Sequence, residues 1–168
     1  SDMIPGALEA IAALRNRGIA IGSTTGYPRS IMNWPMPLAA AQGYEPDCCV
    51  TVSEVARGRP FPDMILANAL ALGVADVRAA IVVDDSPTGL TAGRAAGMWA
   101  IGIIASGNEV GLSLADWEAL SEAAKAEYRT NASEILFASG AHYVIDTIAD
   151  LLPIVDVIEA RLAAGEGA

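Results

Sequence analysis

The sequence predicts an α/β fold in which a parallel sheet is covered by helices on both faces, giving three α/β/α layers. Two patterns predict it. Short apolar runs, such as residues 80–83 and 99–104, do not alternate with polar residues, which is typical of strands buried on both faces. Segments with a helical spacing of apolar residues separate these runs. Strands that alternate with helices indicate a parallel sheet.

The predicted elements follow one another regularly along the chain. Pro5 and Gly6 open the first helical pattern and Gly18 closes it, because proline suits a first helical turn and glycine a helix end. The next helical region, residues 28–42, contains Pro35 and Pro37, which must break or kink it. The predicted strands are residues 19–24, 48–51, 80–84, 99–104 and 142–145. The other predicted helices are residues 62–72, 86–96, 113–139 with some interruption, and 148–162, interrupted or restarted at Pro153.

Composition limits the classes of protein to which the chain can belong. Its 168 residues are 53% hydrophobic and suffice for one domain, placed at residues 1–162, with a disordered tail at 163–168. A net charge of −10 leaves no basic face for nucleic acid. No apolar run reaches the about 20 residues that span a bilayer, and no signal peptide is recognisable. With the adjacent Cys48 and Cys49 interpreted as buried thiols, we expect a cytoplasmic protein that binds neither nucleic acid nor membranes.

Three polar clusters lie at the carboxyl ends of predicted strands, or just after them, where ligands bind in doubly wound sheets. Residues 23–27 offer hydroxyls and free backbone N–H groups, which suit phosphate oxygens. Arg59 precedes a proline-bounded helix start, and its guanidinium offers a fork of donors to a phosphoryl group. Asp84 and Asp85 end a later strand, and adjacent carboxylates suit a hard cation such as Mg²⁺.

Each cluster also has an ordinary structural interpretation. Hydroxyls and a glycine after a strand are usual in turns. Arg59 taken alone is a surface cation, and the two acids with Ser86 could cap the next helix. Their order along one predicted sheet edge, hydroxyl, then cation, then acid pair, favours a shared site. A dinucleotide-binding domain is disfavoured, because no Gly-x-Gly-x-x-Gly follows the first strand.

The same order is found in the motifs of the haloacid dehalogenase superfamily after its first motif, and within it the chain resembles the phosphonoacetaldehyde hydrolases. The resemblance covers nearly the whole chain, and the Gly-Ser-Thr-Thr-Gly-Tyr and Ala-Gly-Met-Trp stretches are specific to that family. The segments that carry it are residues 4–6, 17–27, 42–44, 46–47, 58–60, 84–86, 96–99, 107–112 and 140–143.

The resemblance implies a role for each cluster. It implies that Thr25 binds the transferring phosphoryl group, that Arg59 neutralises its oxygens and the charge of the nucleophile, and that Asp85 binds Mg²⁺. Ser86 stands where the family usually has threonine and is grouped with the catalytic residues, while Asp84 is a second candidate metal ligand where some relatives carry glycine. The implied phosphate-binding residues are Ser23, Thr24, Gly26 and Tyr27.

The reaction that the resemblance implies cleaves the carbon–phosphorus bond of phosphonoacetaldehyde to give acetaldehyde and phosphate. A lysine of a cap domain forms a Schiff base with the aldehyde, and an aspartate on the first strand attacks phosphorus to form an aspartyl-phosphate. Neither residue is found here: the basic residues before Arg57 are Arg15, Arg17 and Arg29, and none fits a Schiff base. We therefore expect a core domain without cap or first strand, inactive by itself on a small phosphonate or phosphate substrate.

The missing first strand also matters for the sheet. In the superfamily it lies centrally, between the strands predicted here at residues 19–24 and 80–84. Its absence would leave unpaired backbone groups, each costing about 1–3 kcal/mol when buried. We therefore expect that the sequence is incomplete, or that another segment or a second copy supplies the strand. A homodimer and complementation by a missing N-terminal segment are the two predicted partnerships.

Two departures from the family and two alternative functions remain open. Asp63 replaces a tryptophan of the family, and Pro35 and Pro37 break a helix that is smooth in relatives, which bears on the identity of the substrate. One alternative is a capped phosphatase or phosphoglucomutase-like enzyme, and the other is a catalytically dead core that binds phosphate or a partner protein.

His142 is interpreted as a packed or half-exposed imidazole. The three tryptophans are interpreted as core or interface residues: Trp34, Trp99 and Trp117.

Overall fold

The computed structural model describes residues 3–105 and 111–168. Residues 107–110, part of a segment that carries the family resemblance, lie outside the described part. The strands are β1 (Gly22–Thr25), β2 (Cys48–Thr51), β3 (Ile81–Asp84), β4 (Trp99–Ile103) and β5 (Tyr143–Ile145). The α-helices are α1 (Ala7–Asn16), α2 (Arg29–Met32), α3 (Pro35–Ala41), α4 (Asp63–Ala71), α5 (Pro87–Ala95), α6 (Leu114–Ala119), α7 (Glu122–Ala138) and α8 (Leu151–Ala163). None of the described helices is long and apolar enough to cross a lipid bilayer.

Proline and serine explain where the predicted helices are divided. Pro35 is the first residue of α3, so the helical region after β1 is divided into α2 and α3, as its prolines predicted. The interruption predicted within residues 113–139 lies between α6 and α7, where the Ser121 side chain accepts a hydrogen bond from Ala124 N and caps α7. Pro153 does not restart the last helix, because it lies in the first turn of α8, where a missing N–H is tolerated.

The five described strands form two separate parallel sheets. In one, β1 pairs with β2, and Thr25 lies beside Thr51. In the other, β3 pairs with β4, and β4 with β5. Within residues 3–105 and 111–168, no strand pairing joins β1 to β3. The predicted α/β class with parallel strands is confirmed, and the division between the sheets falls where the sequence predicted a missing central strand.

The three-stranded sheet is buried between two helical layers. Alternate residues of β4 face opposite layers: Trp99 and Ile101 pack towards α1 and α8, and Ala100 packs towards α5 and α7. All three side chains are fully buried. Burying a large apolar side chain contributes about 1.5–3 kcal/mol to stability. Because its buried side chains belong to the apolar clusters on both faces of the sheet, β4 is the centre of the core. The helical residues that pack on it include Leu14, Leu90, Leu136, Val155 and Ile158.

The two-stranded sheet is held by α4. Asn68 of α4 is buried, and its Nδ2 donates to the carbonyl oxygen of Ser23, 2.6 Å away. A Cβ atom at Gly22 would overlap the amide oxygen of Asn68, which explains why glycine is needed in this strand. In the described part of the chain that amide oxygen has no hydrogen-bond partner. α4 therefore fixes β1, the strand that leads to the first polar cluster.

The burial of the tryptophans and cysteines agrees only in part with the interpretation from the sequence. Trp99 and Trp117 are buried, whereas Trp34 is 75% exposed and lies outside the core. Cys48 and Cys49 are free thiols, each only partly buried. In the tail, Glu166 Oε2 lies 2.6 Å from Arg161 Nε. The disorder proposed for residues 163–168 stays a prediction.

His142 joins β5 to β4 at the edge of the sheet opposite the three polar clusters. Its backbone N–H donates to Ala100 O at 2.8 Å, and Ala100 N donates to His142 Nδ1 at 3.0 Å. The second bond requires a free lone pair on Nδ1, which a protonated imidazole lacks. Burial, followed by the positive charges of Arg94 and Arg161, lowers the pKa of His142. His142 is therefore a neutral structural residue, consistent with a packed imidazole.

We expect the free energy of unfolding to decrease as the pH falls below about 6.5, because His142 has a lower pKa in the folded chain than the about 6.5 of an unfolded chain. The unfolded chain takes up the proton first. The stability due to neutral His142 is thus present above the unfolded-state pKa and is lost as the pH falls through the folded-state pKa. Urea unfolding at a series of pH values measures this slope. In His142→Asn the amide oxygen can still accept from Ala100, so the slope should flatten; an unchanged slope would contradict the assignment.

Candidate active site

The hydroxyl groups at the end of β1 have different partners. The Ser23 hydroxyl is hydrogen-bonded to the Tyr44 hydroxyl. Thr25 Oγ1 accepts from Tyr27 N at 3.2 Å, which closes the turn after the strand. Thr24 Oγ1 accepts from Arg59 Nη2 at 3.0 Å. The hydroxyl in contact with the cation is thus that of Thr24, and the phosphoryl-binding role that the resemblance implies for Thr25 stays a prediction.

Arg59 brings the first cluster to the third. Its Nη2 atom donates to the Thr24 hydroxyl and lies 3.8 Å from Asp84 Oδ2, at the end of β3. The Arg59 and Asp84 side chains are 24% and 16% exposed, so water screens their attraction only partly. A Cβ atom on Gly26 would lie 3.8 Å from Arg59 Nη1, so Gly26 is also next to the guanidinium. One cation therefore contacts the carboxyl ends of strands from both sheets.

Asp84 is held by the start of α5. Its Oδ1 atom accepts from the backbone N and from the Oγ of Ser86, each at 2.9 Å. The Ser86 hydroxyl also accepts from Gly89 N at 3.2 Å and so caps α5. A side chain at position 89 would overlap the Asp84 carboxylate, and Gly89 leaves the space that the carboxylate fills. Asp84 is therefore a fixed part of the site.

Asp85 has a different electrostatic environment from Asp84. Its burial, followed by the negative charge of Asp84, raises the pKa of the Asp85 carboxyl, and the charge of Arg59 opposes this only weakly. A cation beside the buried Asp85 carboxylate would stabilise its charged form against this effect. The sequence placed these two acids and Arg59 in one site, and the structure brings them together.

The donor set fits Mg²⁺. This ion takes oxygen ligands, is often held by one or two carboxylates, and keeps several waters. Asp84 and Asp85 supply two such carboxylates, although no cluster of three or more His, Cys, Asp or Glu side chains suited to a metal is found in residues 3–105 and 111–168. The two carboxylates would therefore suit an ion that keeps several of its waters.

A second ion pair borders the site and was not recognised in the sequence. Arg57 donates to both carboxylate oxygens of Asp63, from Nη2 at 2.7 Å and from Nε at 3.1 Å. These residues lie on either side of Arg59 in the chain. Opposite charges at the two ends of a short loop rich in glycine and proline were the available signal. Asp63, noted in the sequence as a departure from the family, thus has a specific partner.

A cavity of about 630 Å³ opens beside the end of β1. Thr24 and Thr25 line it together with the Ser23–Tyr44 pair and residues of α3. Tyr27, grouped with the phosphate-binding residues from the sequence, is 63% exposed. The site roles of all the residues assigned from the sequence stay predictions: Ser23, Thr24, Thr25, Gly26, Tyr27, Arg59, Asp84, Asp85 and Ser86.

The chain matches known proteins over nearly its full length. Residues 1–97 match the model of the haloacid dehalogenase-like hydrolases. The phosphonoacetaldehyde hydrolase of Hahella chejuensis is 49% identical over 164 residues, which cover 98% of this chain and 56% of that protein. The phosphonoacetaldehyde hydrolase of Klebsiella pneumoniae is 48% identical over 167 residues, covering 99% of this chain and 62% of that protein. A solved phosphonoacetaldehyde hydrolase like protein from Oleispira antarctica superposes with a TM-score of 0.96 at 46% identity, covering 100% of this chain and 61% of that one.

These matches agree with the geometry of the site. The family model covers more than half of the chain, from its start through α5. It therefore includes all three polar clusters, with Thr24, Arg59 and Asp84 in contact. The chain spans 56% and 62% of the lengths of the two curated relatives. The chain belongs to the haloacid dehalogenase-like hydrolases.

Proposed function

We propose that this chain is the core unit of a phosphonoacetaldehyde hydrolase, which cleaves a carbon–phosphorus bond to give acetaldehyde and phosphate. The relatives of that name that cover nearly all of this chain support the proposal. The observation that carries it is the contact of Arg59 with both the Thr24 hydroxyl and the acid at the end of β3, because it brings together a cation, a hydroxyl and a carboxylate, the groups that phosphoryl transfer uses.

Each residue of the site has a proposed task. Arg59 and a threonine hydroxyl, Thr24 or Thr25, bind the oxygens of the transferring phosphoryl group. Asp85 and Asp84 hold Mg²⁺, which when bound would neutralise charge that develops on those oxygens. Ser86 keeps the Asp84 carboxylate oriented through its backbone and hydroxyl groups.

The three clusters contain neither the nucleophilic aspartate nor the Schiff-base lysine. We propose that a further strand lies between β1 and β3 and carries the aspartate that attacks phosphorus, and that the lysine belongs to a cap. In the described part of the chain β1 pairs only with β2, and β3 only with β4, so each strand keeps an edge that a further strand could join. A separate segment or a second copy of the chain would supply it. The 168 residues by themselves are then inactive.

A second candidate function is that of a capped phosphatase or phosphoglucomutase-like enzyme. The observation that favours it is Asp63, which replaces a tryptophan of the resembled family and is engaged by Arg57. Both functions use the same phosphoryl and metal groups. They differ in the cap lysine, since a phosphatase needs no Schiff base. A dead phosphate-binding core is the remaining alternative.

The function is tested by joining the chain to the part of the Hahella chejuensis relative that the match leaves uncovered. We expect the joined protein to release acetaldehyde and phosphate from phosphonoacetaldehyde in the presence of Mg²⁺, and the 168-residue chain alone to be inactive. Arg59→Ala should lower kcat by about 100-fold, because a preorganised charge is lost. Arg78→Ala, which removes an exposed arginine far along the chain, is the matched control. Release of phosphate from phosphate esters alone would favour the phosphatase, and no turnover of either would indicate a dead core.

The proposed strand gives a separate expectation for backbone hydrogen exchange. Edge amides of β1 and β3 should exchange faster in the 168-residue chain than in the joined protein, because pairing with the new strand protects them. The amides of β4 serve as an internal control, since β4 is already paired on both sides. Equal protection of the β1 and β3 edges in both proteins would exclude a strand between them.

The Mg²⁺ assignment is tested at Gly89. In Gly89→Ala the new methyl group overlaps the Asp84 carboxylate, so we expect Mg²⁺ affinity, measured by titration calorimetry, to fall by about tenfold. Gly93→Ala is the matched control in the same helix, because its Cβ would press only on the Val82 side chain, at 3.0 Å or more. That variant should lose thermal stability and keep its Mg²⁺ affinity. If both variants bind Mg²⁺ as the unmodified chain does, Asp84 is not a ligand.

A further inference from the structure

The loop that carries Arg59 is closed at its base by an ion pair. Arg57 Nη2 and Nε donate to the two carboxylate oxygens of Asp63 at 2.7 and 3.1 Å, in the parallel geometry that a guanidinium and a carboxylate favour. The Arg57 guanidinium also lies over the Phe61 ring, with its Cζ 4.4 Å from the centroid. These contacts, named here the Arg57–Asp63 clamp, join the first residue of the loop to its last.

The clamp is anchored to the strand that Arg59 must reach. Asp63 is the first residue of α4, and α4 is fixed to β1 by the Asn68 hydrogen bond to Ser23. Inside the loop, Phe61 N donates to Gly58 O at 3.1 Å, which forms a tight turn with Arg59 at its centre. The base of the loop therefore has a fixed relation to the Thr24 hydroxyl that Arg59 contacts.

The clamp is poorly explained as a contribution to overall stability. The Arg57 side chain is 55% exposed, and ion pairs at such positions contribute little to folding. The Asp63 side chain is only 15% exposed, so its charge has lost much of its water and depends on Arg57. Arg57 accordingly lowers the pKa of Asp63. The arrangement restricts the conformations of seven consecutive residues more than it strengthens the core.

We propose that Arg57 and Asp63 are positioning residues that hold Arg59 within reach of Thr24 and Asp84, an inference that rests on the proposed phosphoryl-binding role of Arg59. Neither residue touches the reacting atoms. They act by keeping the loop closed, so that the guanidinium is already oriented when a phosphoryl group arrives. Preorganisation of this kind lowers the entropy that binding must overcome.

The test compares Arg57→Gln, Asp63→Asn and the double variant of the 168-residue chain. The first measurement is the ¹⁵Nε order parameter of Arg59, which should fall from the about 0.85 of a rigid group towards about 0.6 or lower in each single variant. The second is the affinity for inorganic phosphate in the presence of Mg²⁺, which should fall by about fivefold. The double variant should be no worse than either single one, because the two residues act as one unit.

The matched control is the Arg78–Asp76 pair, in which Arg78 Nε and Nη2 bind both carboxylate oxygens of Asp76 at the surface. Arg78→Gln and Asp76→Asn should leave the Arg59 order parameter and the phosphate affinity unchanged. Arg59 remaining as ordered in the clamp variants as in these controls would overturn the inference. Absence of phosphate binding by the unmodified chain would instead contradict the proposed function, and the order parameter would still decide whether the clamp positions Arg59.

Discussion

A single guanidinium holds together polar groups from two sheets that share no strand pairing in the described part of the chain. Arg59 Nη2 contacts the Thr24 hydroxyl at the end of β1 and lies 3.8 Å from Asp84 at the end of β3. Ile21, just before β1, and Val83 of β3 pack on the same apolar cluster. The two sheets are therefore also joined through a shared core. The candidate site depends on this contact, because the hydroxyl and the acids belong to different sheets and the cation lies between them.

The two acids of the site, Asp84 and Asp85, differ in the contacts and charges that surround them. Asp84 has a charged partner and two hydrogen-bond donors, and its carboxylate fills the space left by Gly89. Asp85 has the raised pKa, owing to its burial and to its neighbour's charge. A cation bound beside Asp85 would offset this unfavourable environment of its charge. The helix cap of Ser86 serves both the fold and this arrangement, since one hydroxyl orients the acid and starts α5.

The structure shows an ion-pair partner for Asp63, the residue that departs from the family pattern. In the sequence, Asp63 weakened the resemblance to the phosphonoacetaldehyde hydrolases and favoured a more general phosphatase pattern. In the structure it is the partner of Arg57, and together they enclose the loop that presents Arg59. The exchange of a tryptophan for an acid therefore bears on how the cation is held as well as on the identity of the substrate.

The sequence alone determined the class of fold, the positions of the strands and helices, and the three polar clusters, because apolar periodicity, proline, glycine and capping residues act over a few neighbouring residues. It also predicted that Arg59, Asp84 and Asp85 share one site, and the structure places Arg59 beside the acids. The tertiary structure decided which threonine hydroxyl meets the cation, why positions 22 and 89 carry glycine, and how Arg57 pairs with Asp63. These depend on distances between side chains that meet only when strands and helices pack, and no local pattern in the sequence encodes such distances.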